Sequence, residues 1–295
     1  MATTREHTQE APSPLDQAET AVYGDFVNIL KPSSHWVFGG FSLPDGGFWC
    51  YQEPDAVVVV QDGRLRVTAM PLTRSNDRVQ ILDNAKHMYF SRERILVPKQ
   101  GAIQFDLSIA ARVYRGLADD LYGGFVSFNL LDFSSGFAVD FFVSNDRIAT
   151  VYGRLPFPGA PLPHTGAVRY FCIFKELEVA TAAGQRHDYQ IVYDSCHDRI
   201  EWDVDGNLVN AEEDVPDKLE GFTLAMGLMT EKEIGAQGST SLHGQGIQGD
   251  WSPTTIRRTV PPDAEAQVPS ESKEGYLTPQ PPSLERKGEQ TRSTN

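Results

Sequence analysis

The sequence predicts an all-β domain of antiparallel strands, arranged as a two-sheet sandwich or a barrel. Three observations carry this. Short apolar runs rich in β-branched and aromatic residues recur through the middle of the chain. Turn formers punctuate them at short intervals, with 25 Gly and 19 Pro in 295 residues. Only Thr20–Leu30 offers a helical period, and it is short. Many short strands divided by turns are the pattern of sandwiches and barrels.

In chain order, residues 1–20 are polar, carry Pro12 and Pro14, and read as a disordered tail. Ala56–Val60 is a β-branched strand, and the Asp62-Gly63 turn leads to its partner Arg64–Val67. Ala102–Ala110, Gly124–Leu131, Phe137–Val143, Ile148–Leu155 and Tyr189–Tyr193 follow as strands. Ile200–Asp205 reaches a turn at Asp205-Gly206-Asn207 and returns at Leu208-Val209. Phe222–Met229 is an apolar strand. Residues 230–252 are rich in Gly and Gln and read as a long loop, a place where functional lids occur. Residues 261–295, rich in Pro, Ser, Glu and Gln, cannot bury enough surface to offset the entropy of ordering and read as a second disordered tail. One domain over 21–260 remains.

Charge and composition exclude several classes. Forty acidic against 26 basic side chains give a net charge of −14, which argues against nucleic acid or an anionic membrane as partner. No apolar run follows Arg5 as in a signal peptide, and none approaches the ~18 residues that span a bilayer. Cys50, Cys172 and Cys196 are too scattered for a disulfide framework or a CxxC metal site. Cys172, inside RYFCIF, reads as a small buried hydrophobe. The expected compartment is the cytoplasm. No HExxH or phosphate-loop spacing is present, so no metal or cofactor is expected. The oligomeric state stays open.

The most specific stretch is HDYQIVYDSCHDRIEWDVDGNLV, residues 187–209. Ile200, Trp202 and Val204 share one strand face and Glu201 and Asp203 the other, while Asp205-Gly206 suits a tight turn. This stretch resembles the H-x-Y-x-I-x-[WY]…I-x-W-x-V-D-G-x-x-V hairpin of concanavalin A-like jelly rolls, especially laminarinase-type glycoside hydrolases. The resemblance implies a two-sheet jelly-roll sandwich and a structural role for His187. It also implies a Glu-x-Asp-x-Glu catalytic strand, matched here by Phe137–Val143. If Asp140 takes the central position, Ala138 and Phe142 stand in place of both glutamates. Glycoside hydrolysis ordinarily needs two carboxyl groups, so the resemblance implies the fold and argues against the activity. The strings FNLLDFSSGFAVDFFVSNDRIATVYGRLPFPG and HDYQIVYD…IEWDVDG are similar to a group of jelly-roll proteins from actinobacteria and fungi, some of which belong to natural-product pathways.

Strand alternation gives a candidate cleft. Phe125, Ser127, Asn129 and Leu131 share a face, as do Ala138, Asp140 and Phe142, and Ile148, Thr150, Tyr152 and Arg154. Such a cleft is mostly apolar with a few polar groups, the usual make-up of a small-molecule site. Asp140, Tyr152 and Arg154 are the candidate catalytic residues. Ser127, Asn129, Phe142, His243, Gln245 and Trp251 are the candidate substrate-binding residues. An Asp140–Arg154 pair would orient a ligand or form an internal ion pair. The expected function is a cofactor-free cyclase or isomerase of secondary metabolism, of Diels–Alder type, acting on a small apolar polyketide- or terpenoid-like intermediate. The alternatives are a lectin-like protein stacking sugars on Trp36, Trp49 and Trp251, and a divergent glycoside hydrolase with a displaced acid such as Glu201 or Asp203.

Overall fold

The computed structural model describes residues 19–24, 26–43, 46–76, 82–83, 85–155 and 170–259. The chain divides into a compact unit, Met1–Pro261, and a second unit, Pro262–Asn295, which lies outside the described residues. The two predicted disordered tails also lie outside them, except that Glu19 and Thr20 begin a strand.

The first strands are β1 (Glu19–Tyr23), β2 (Trp36–Phe38), β3 (Gly40–Ser42), β4 (Phe48–Cys50), β5 (Val57–Gln61), β6 (Arg64–Ala69) and β7 (Leu82–Asp83). Then come β8 (Lys86–Ser91), β9 (Ile95–Leu96), β10 (Ala102–Tyr114), β11 (Phe125–Asp132), β12 (Phe137–Val143), β13 (Ile148–Arg154) and β14 (Phe171–Glu176). The last are β15 (Arg186–Asp194), β16 (Arg199–Val204), β17 (Asn207–Glu212), β18 (Gly221–Met229), β19 (Lys232–Glu233), β20 (Gly246–Trp251) and β21 (Thr254–Thr259). Sheet I runs β17-β16-β15-β10-β20-β6-β5, with β21 on β10 and β1 on β21. Sheet II runs β14-β13-β12-β11-β18-β8-β2, with β9 on β18. The short pairs β3–β4 and β7–β19 stand apart. Strand pairing is antiparallel throughout, and the molecule is an antiparallel two-sheet sandwich, as the strand pattern predicts.

The core lies between the sheets. Phe105, Tyr189, Ile191 and Trp202 project from sheet I and Phe128, Phe141, Leu224 and Met226 from sheet II. Phe141 meets Tyr189 edge-on at 4.9 Å between ring centres. Each such buried aromatic contributes roughly 1.5–3 kcal/mol of burial. At the Asp205-Gly206 turn both residues have positive φ, 52° and 75°, the geometry a two-residue hairpin needs. His187 Nδ1 lies 2.7 Å from Asp205 Oδ2 and its Nε2 3.1 Å from Thr181 Oγ1, so the histidine ties this hairpin down.

Two readings of the sequence are corrected. Thr20–Leu30 is not helical: β1 ends at Tyr23, and turns occupy 27–30. The 230–252 stretch is not one loop either. It contains β19 and then β20, an interior strand of sheet I between β10 and β6. Its glycines hid it. A Cβ on Gly249 would lie 2.2 Å from the Trp251 ring, so the strand needs Gly there to let the indole lie across it.

Candidate active site

The site is built from the outer face of sheet II. On β12 Phe137, Val139, Phe141 and Val143 enter the inter-sheet core, and Ala138, Asp140 and Phe142 face away from it. Strand register carries that outer face across the sheet. One row is Phe90, Ala225, Asn129, Asp140, Val151 and Phe174. The next is Met88, Gly227, Ser127, Phe142 and Ala149. Lys86 begins a third row beside Met229 and Phe125, and Glu231 follows β18 by two residues. Phe41, Tyr51 and Leu121 pack over these rows as a second apolar cluster, with Trp49 half-buried beside them. Phe125 stacks on Phe142 at 4.1 Å.

Three ionisable groups stand in this apolar setting. Asp140 is 4% exposed, and its Oδ1 has no hydrogen-bond partner. Ser127 Oγ donates to Asn129 Oδ1 at 2.9 Å, which leaves the Asn129 amide N–H groups for Asp140 across the strand pair. Lys86 Nζ lies 3.8 Å from Glu231 Oε1 and 5.3 Å from the centre of the Tyr51 ring. The Lys86 side chain is 11% exposed and that of Glu231 24%.

Burial dominates their protonation. It pushes the Asp140 carboxyl well above the ordinary range; the Asn129 hydrogen bond opposes this, the Glu231 charge adds to it, and the Lys86 charge opposes it. Burial also raises Glu231 against the pull of Lys86. It lowers Lys86 against the pull of Glu231 and Asp140. The cluster therefore sets a buried carboxyl with raised proton affinity on the same apolar face as a lysine–glutamate ion pair. Such arrangements are characteristic of acid–base sites.

Asp140, Asn129, Ser127 and Phe142 come together here, as the sequence predicts. Tyr152 and Arg154 do not. Register on β13 places Ala149, Val151 and Gly153 beside the cleft residues of β12, so the predicted set Ile148, Thr150, Tyr152 and Arg154 faces inward. Tyr152 stacks on Phe137 at 5.7 Å, and burial raises its phenol. Arg154 pairs with Asp217 and lies 4.6 Å over the Phe137 ring, on the opposite side of the sheet from Asp140. The reason is that β13 is buried on both faces, and its apolar residues fit either phase. Trp251 belongs to the core, its Nε1 donating to the Ser127 carbonyl at 3.2 Å. Gln245 is buried and donates to the carbonyls of Gly123 and Ser241 while accepting the His243 N–H, so it straps a loop. His243 is exposed.

Lys86, Glu231 and Tyr51 were not found from the sequence. Lys86 left one signal: it shares a strand face with Met88 and Phe90, a lone charge on an apolar face. Glu231 left none, because it falls just past β18 in what reads as loop.

The other candidates lie elsewhere. Glu201 pairs with Arg199 at 2.7 Å on the outer side of sheet I. Asp203 lines a shallow hollow of about 330 Å³ with Asp106, Asp188 and Gln190. There Asp106 already accepts from Gln104, Gln190 and Arg257. Trp36 is fully buried, and Trp49 carries Arg74 over its ring at 4.4 Å. Cys172 is exposed on the edge strand β14, not buried. Among the described residues no three His, Cys, Asp or Glu side chains are grouped to hold a metal ion, and no helix is long and apolar enough to cross a membrane.

No curated protein matches the chain. Solved structures do. An endo-1,3-β-glucanase from Streptomyces sioyaensis aligns with a TM-score of 0.51 at 14% identity, covering 84% of this chain and 99% of that one. A β-1,3-1,4-glucanase from a mouse hindgut metagenome aligns at 0.46 and 14%, covering 83% and 99%. The Bacillus licheniformis β-glucanase aligns at 0.46 and 14%, covering 82% and 97%. The first of these fixes the architecture as the concanavalin A-like jelly roll. A family model matches residues 23–260, from the end of β1 to just past β21, and the chain belongs to that family, the family of unknown function DUF6081.

Proposed function

We propose that the protein is a cofactor-free isomerase or cyclase acting on a small, largely apolar intermediate of secondary metabolism, with Asp140 as the proton donor. One observation carries this reading. Asp140 is a buried acid with an unpaired oxygen, set among Ala138, Phe142, Ala225 and Val151. An acid kept neutral in an apolar site can protonate or polarise a carbonyl or an alkene at neutral pH. The aromatic walls from Phe41, Tyr51, Phe90 and Phe125 suit folding an apolar chain into a reactive conformer. On this reading Ala138 and Phe142 occupy the places that the jelly-roll hydrolases give to glutamates. Fold and chemistry are then inherited separately.

The test is deletion of the gene with comparison of metabolite profiles. Isomerisation conserves mass, so a compound isobaric with the lost product is expected to accumulate. Wild-type chain is expected to restore the product and Asp140→Asn not to. An unchanged profile under conditions where the gene is expressed overturns the reading.

A second reading, a divergent glycoside hydrolase, is favoured by Glu231, which supplies a second, partly buried carboxyl whose charge Asp140 senses. Release of reducing ends from β-1,3-glucan or mixed-linkage β-glucan, abolished by both Asp140→Asn and Glu231→Gln, would replace the first reading with this one.

A further inference from the structure

The outer face of sheet I carries a concentration of charge opposite in sign to the chain as a whole. Strand register sets Arg66 of β6, Asp250 of β20, Ala110 of β10 and Arg186 of β15 in one row across that face. Arg64 stands two residues before Arg66, and Arg112 two residues after Ala110. Asp250 is 4% exposed and is the centre of the group. Arg64 Nε donates to its Oδ1 at 2.6 Å, and Arg66 Nε and Nη2 donate to its Oδ2 at 3.2 and 3.0 Å. Arg186 Nη2 lies 3.0 Å from Oδ1. Those four contacts fill the acceptor positions of one carboxylate. Arg64 is further held by the Ser108 hydroxyl at 2.9 Å, and Arg112 by the Ala183 carbonyl at 3.0 Å. Donors are left over. Among the described residues Arg66 Nη1 and the Nε and Nη1 of Arg186 meet no acceptor, and these two side chains are 51% and 40% exposed. Asp188, on the same face two residues beyond Arg186, is the other carboxylate here, and it makes no ion pair among the described residues. Four guanidiniums thus face two carboxylates, a local surplus of two positive charges on a chain of net charge −14.

We propose that this arginine cluster is a binding site for a phosphate group, either the free ion or the phosphoryl end of a small metabolite. The surplus of two charges matches the roughly −1.5 to −2 that a phosphate monoester carries at neutral pH. A carboxylate ligand would leave about half of it unmet. The cations are all arginines, whose planar forks grip oxyanions through paired hydrogen bonds. Ala110 sits in the middle of the row, so no long side chain of β10 fills the space between Arg66 and Arg186. A phosphate over Asp250 and Ala110 accepts from Arg66 Nη1 on one side and from Arg186 on the other. Asp250 is then a positioning residue. Its own charge is covered by three guanidiniums, and it holds them with their remaining N–H groups free. The acidic surface elsewhere repels an extended polyanion, so the ligand is a small one. The site lies on the opposite sheet from Asp140, and its ligand is independent of any reaction there.

The test is isothermal titration calorimetry of the full-length protein at constant ionic strength. Inorganic phosphate, glycerol 3-phosphate, sulfate and chloride are titrated in turn. Saturable binding of phosphate to one site per chain is expected, and none of chloride. Arg66→Gln and Arg186→Gln are each expected to weaken phosphate about tenfold, the loss of a charge-assisted hydrogen bond. Lys99→Gln removes the same charge beyond the far end of β10 and is expected to leave binding unchanged. Where circular dichroism shows a Gln variant misfolded, Arg66→Lys and Arg186→Lys carry the test, since they keep the charge and lose the fork, and weaker binding is again expected. Lowering the pH from about 7.5 to about 5.5 is expected to weaken phosphate, which takes up its second proton near pH 6, and not sulfate. Glycerol 3-phosphate bound at least as tightly as phosphate assigns the site to a phosphorylated metabolite, and weaker binding assigns it to the free ion. No saturable heat with either phosphate compound overturns the proposal. So does binding that chloride matches, or binding that the arginine variants and Lys99→Gln lower alike.

Discussion

Asp140 and His87 lie on opposite sides of sheet II, burial disfavours the charged form of each, and they bend the stability profile in opposite directions. His87 is pushed down to about 4, and its neutral Nδ1 accepts the Glu53 N–H at 3.1 Å. As pH falls from 6.5 towards 4 the unfolded chain takes up a proton that the folded chain refuses, so stability is lost on the acid side. His87→Gln keeps an acceptor and removes that slope. Urea midpoints at about pH 4.5 and pH 7 should then lie closer together than in wild type. Asp140 is raised, so the folded chain holds a proton that the unfolded chain releases above about 3.8, and its contribution is lost as pH rises. The melting temperature of Asp140→Asn relative to wild type is therefore expected to grow from pH 4 to pH 8; a constant gap would mean that Asp140 is ionised in the fold. At this scale the sequence showed Asp140, because one acid interrupts an otherwise apolar strand. It misplaced Tyr152 because β13 is apolar on both faces, so alternation has no solvent side to mark its phase.

At the scale of elements, β8, β18, β11 and β12 hold the site, and β20 packs against it from the facing sheet. Gly227 lies on β18 opposite Met88, and a Cβ there would sit 2.4 Å from Met88 Cγ and 2.7 Å from the His87 carbonyl. Gly227→Ala must push β8 away, at about 1–3 kcal/mol. The variant should lose stability in urea titration, and an unchanged midpoint would show that β8 yields without cost. Trp251 and Trp202 make a matched pair of buried indoles on sheet I. The Nε1 of Trp251 donates to Ser127 on the facing sheet, and that of Trp202 has no partner. Trp251→Phe should therefore cost about 0.5–1.5 kcal/mol more than Trp202→Phe, through the hydrogen bond it loses. Denaturant midpoints of the two variants decide it, and equal losses would show that the bridge contributes nothing. Strands with clean alternation and turn residues, such as β12, β15 and β16, were legible in the sequence. β20 was not, because its glycines serve packing against Trp251 while imitating a loop.

For the whole molecule, charge and connectivity matter most. A net charge of −14 makes the compact state repel itself. Raising ionic strength from about 0.01 M to about 0.1 M shortens the screening length from ~30 Å to ~10 Å. The melting temperature should rise over that interval, although the ion pairs around Asp250, with Arg64, Arg66 and Arg186, weaken in the same salt. A fall would mean that local pairs outweigh net repulsion. The two-sheet class was legible from strand number and spacing. The neighbour order was not, because β20 lies between β10 and β6, far from both in sequence, and nothing local encodes that.

The pairing of β1 with β21, Glu19 opposite Arg258, has a consequence for the order in which the strands are written. The sandwich begins and ends on adjacent strands, so its connectivity is nearly a closed ring. A short peptide joining the region before Glu19 to that after Thr259 would let the ring be opened elsewhere, for instance at Asp62-Gly63 between β5 and β6, with every other pairing kept. A circularly permuted chain of that kind should fold to the same sandwich, with the circular dichroism spectrum of the wild-type chain.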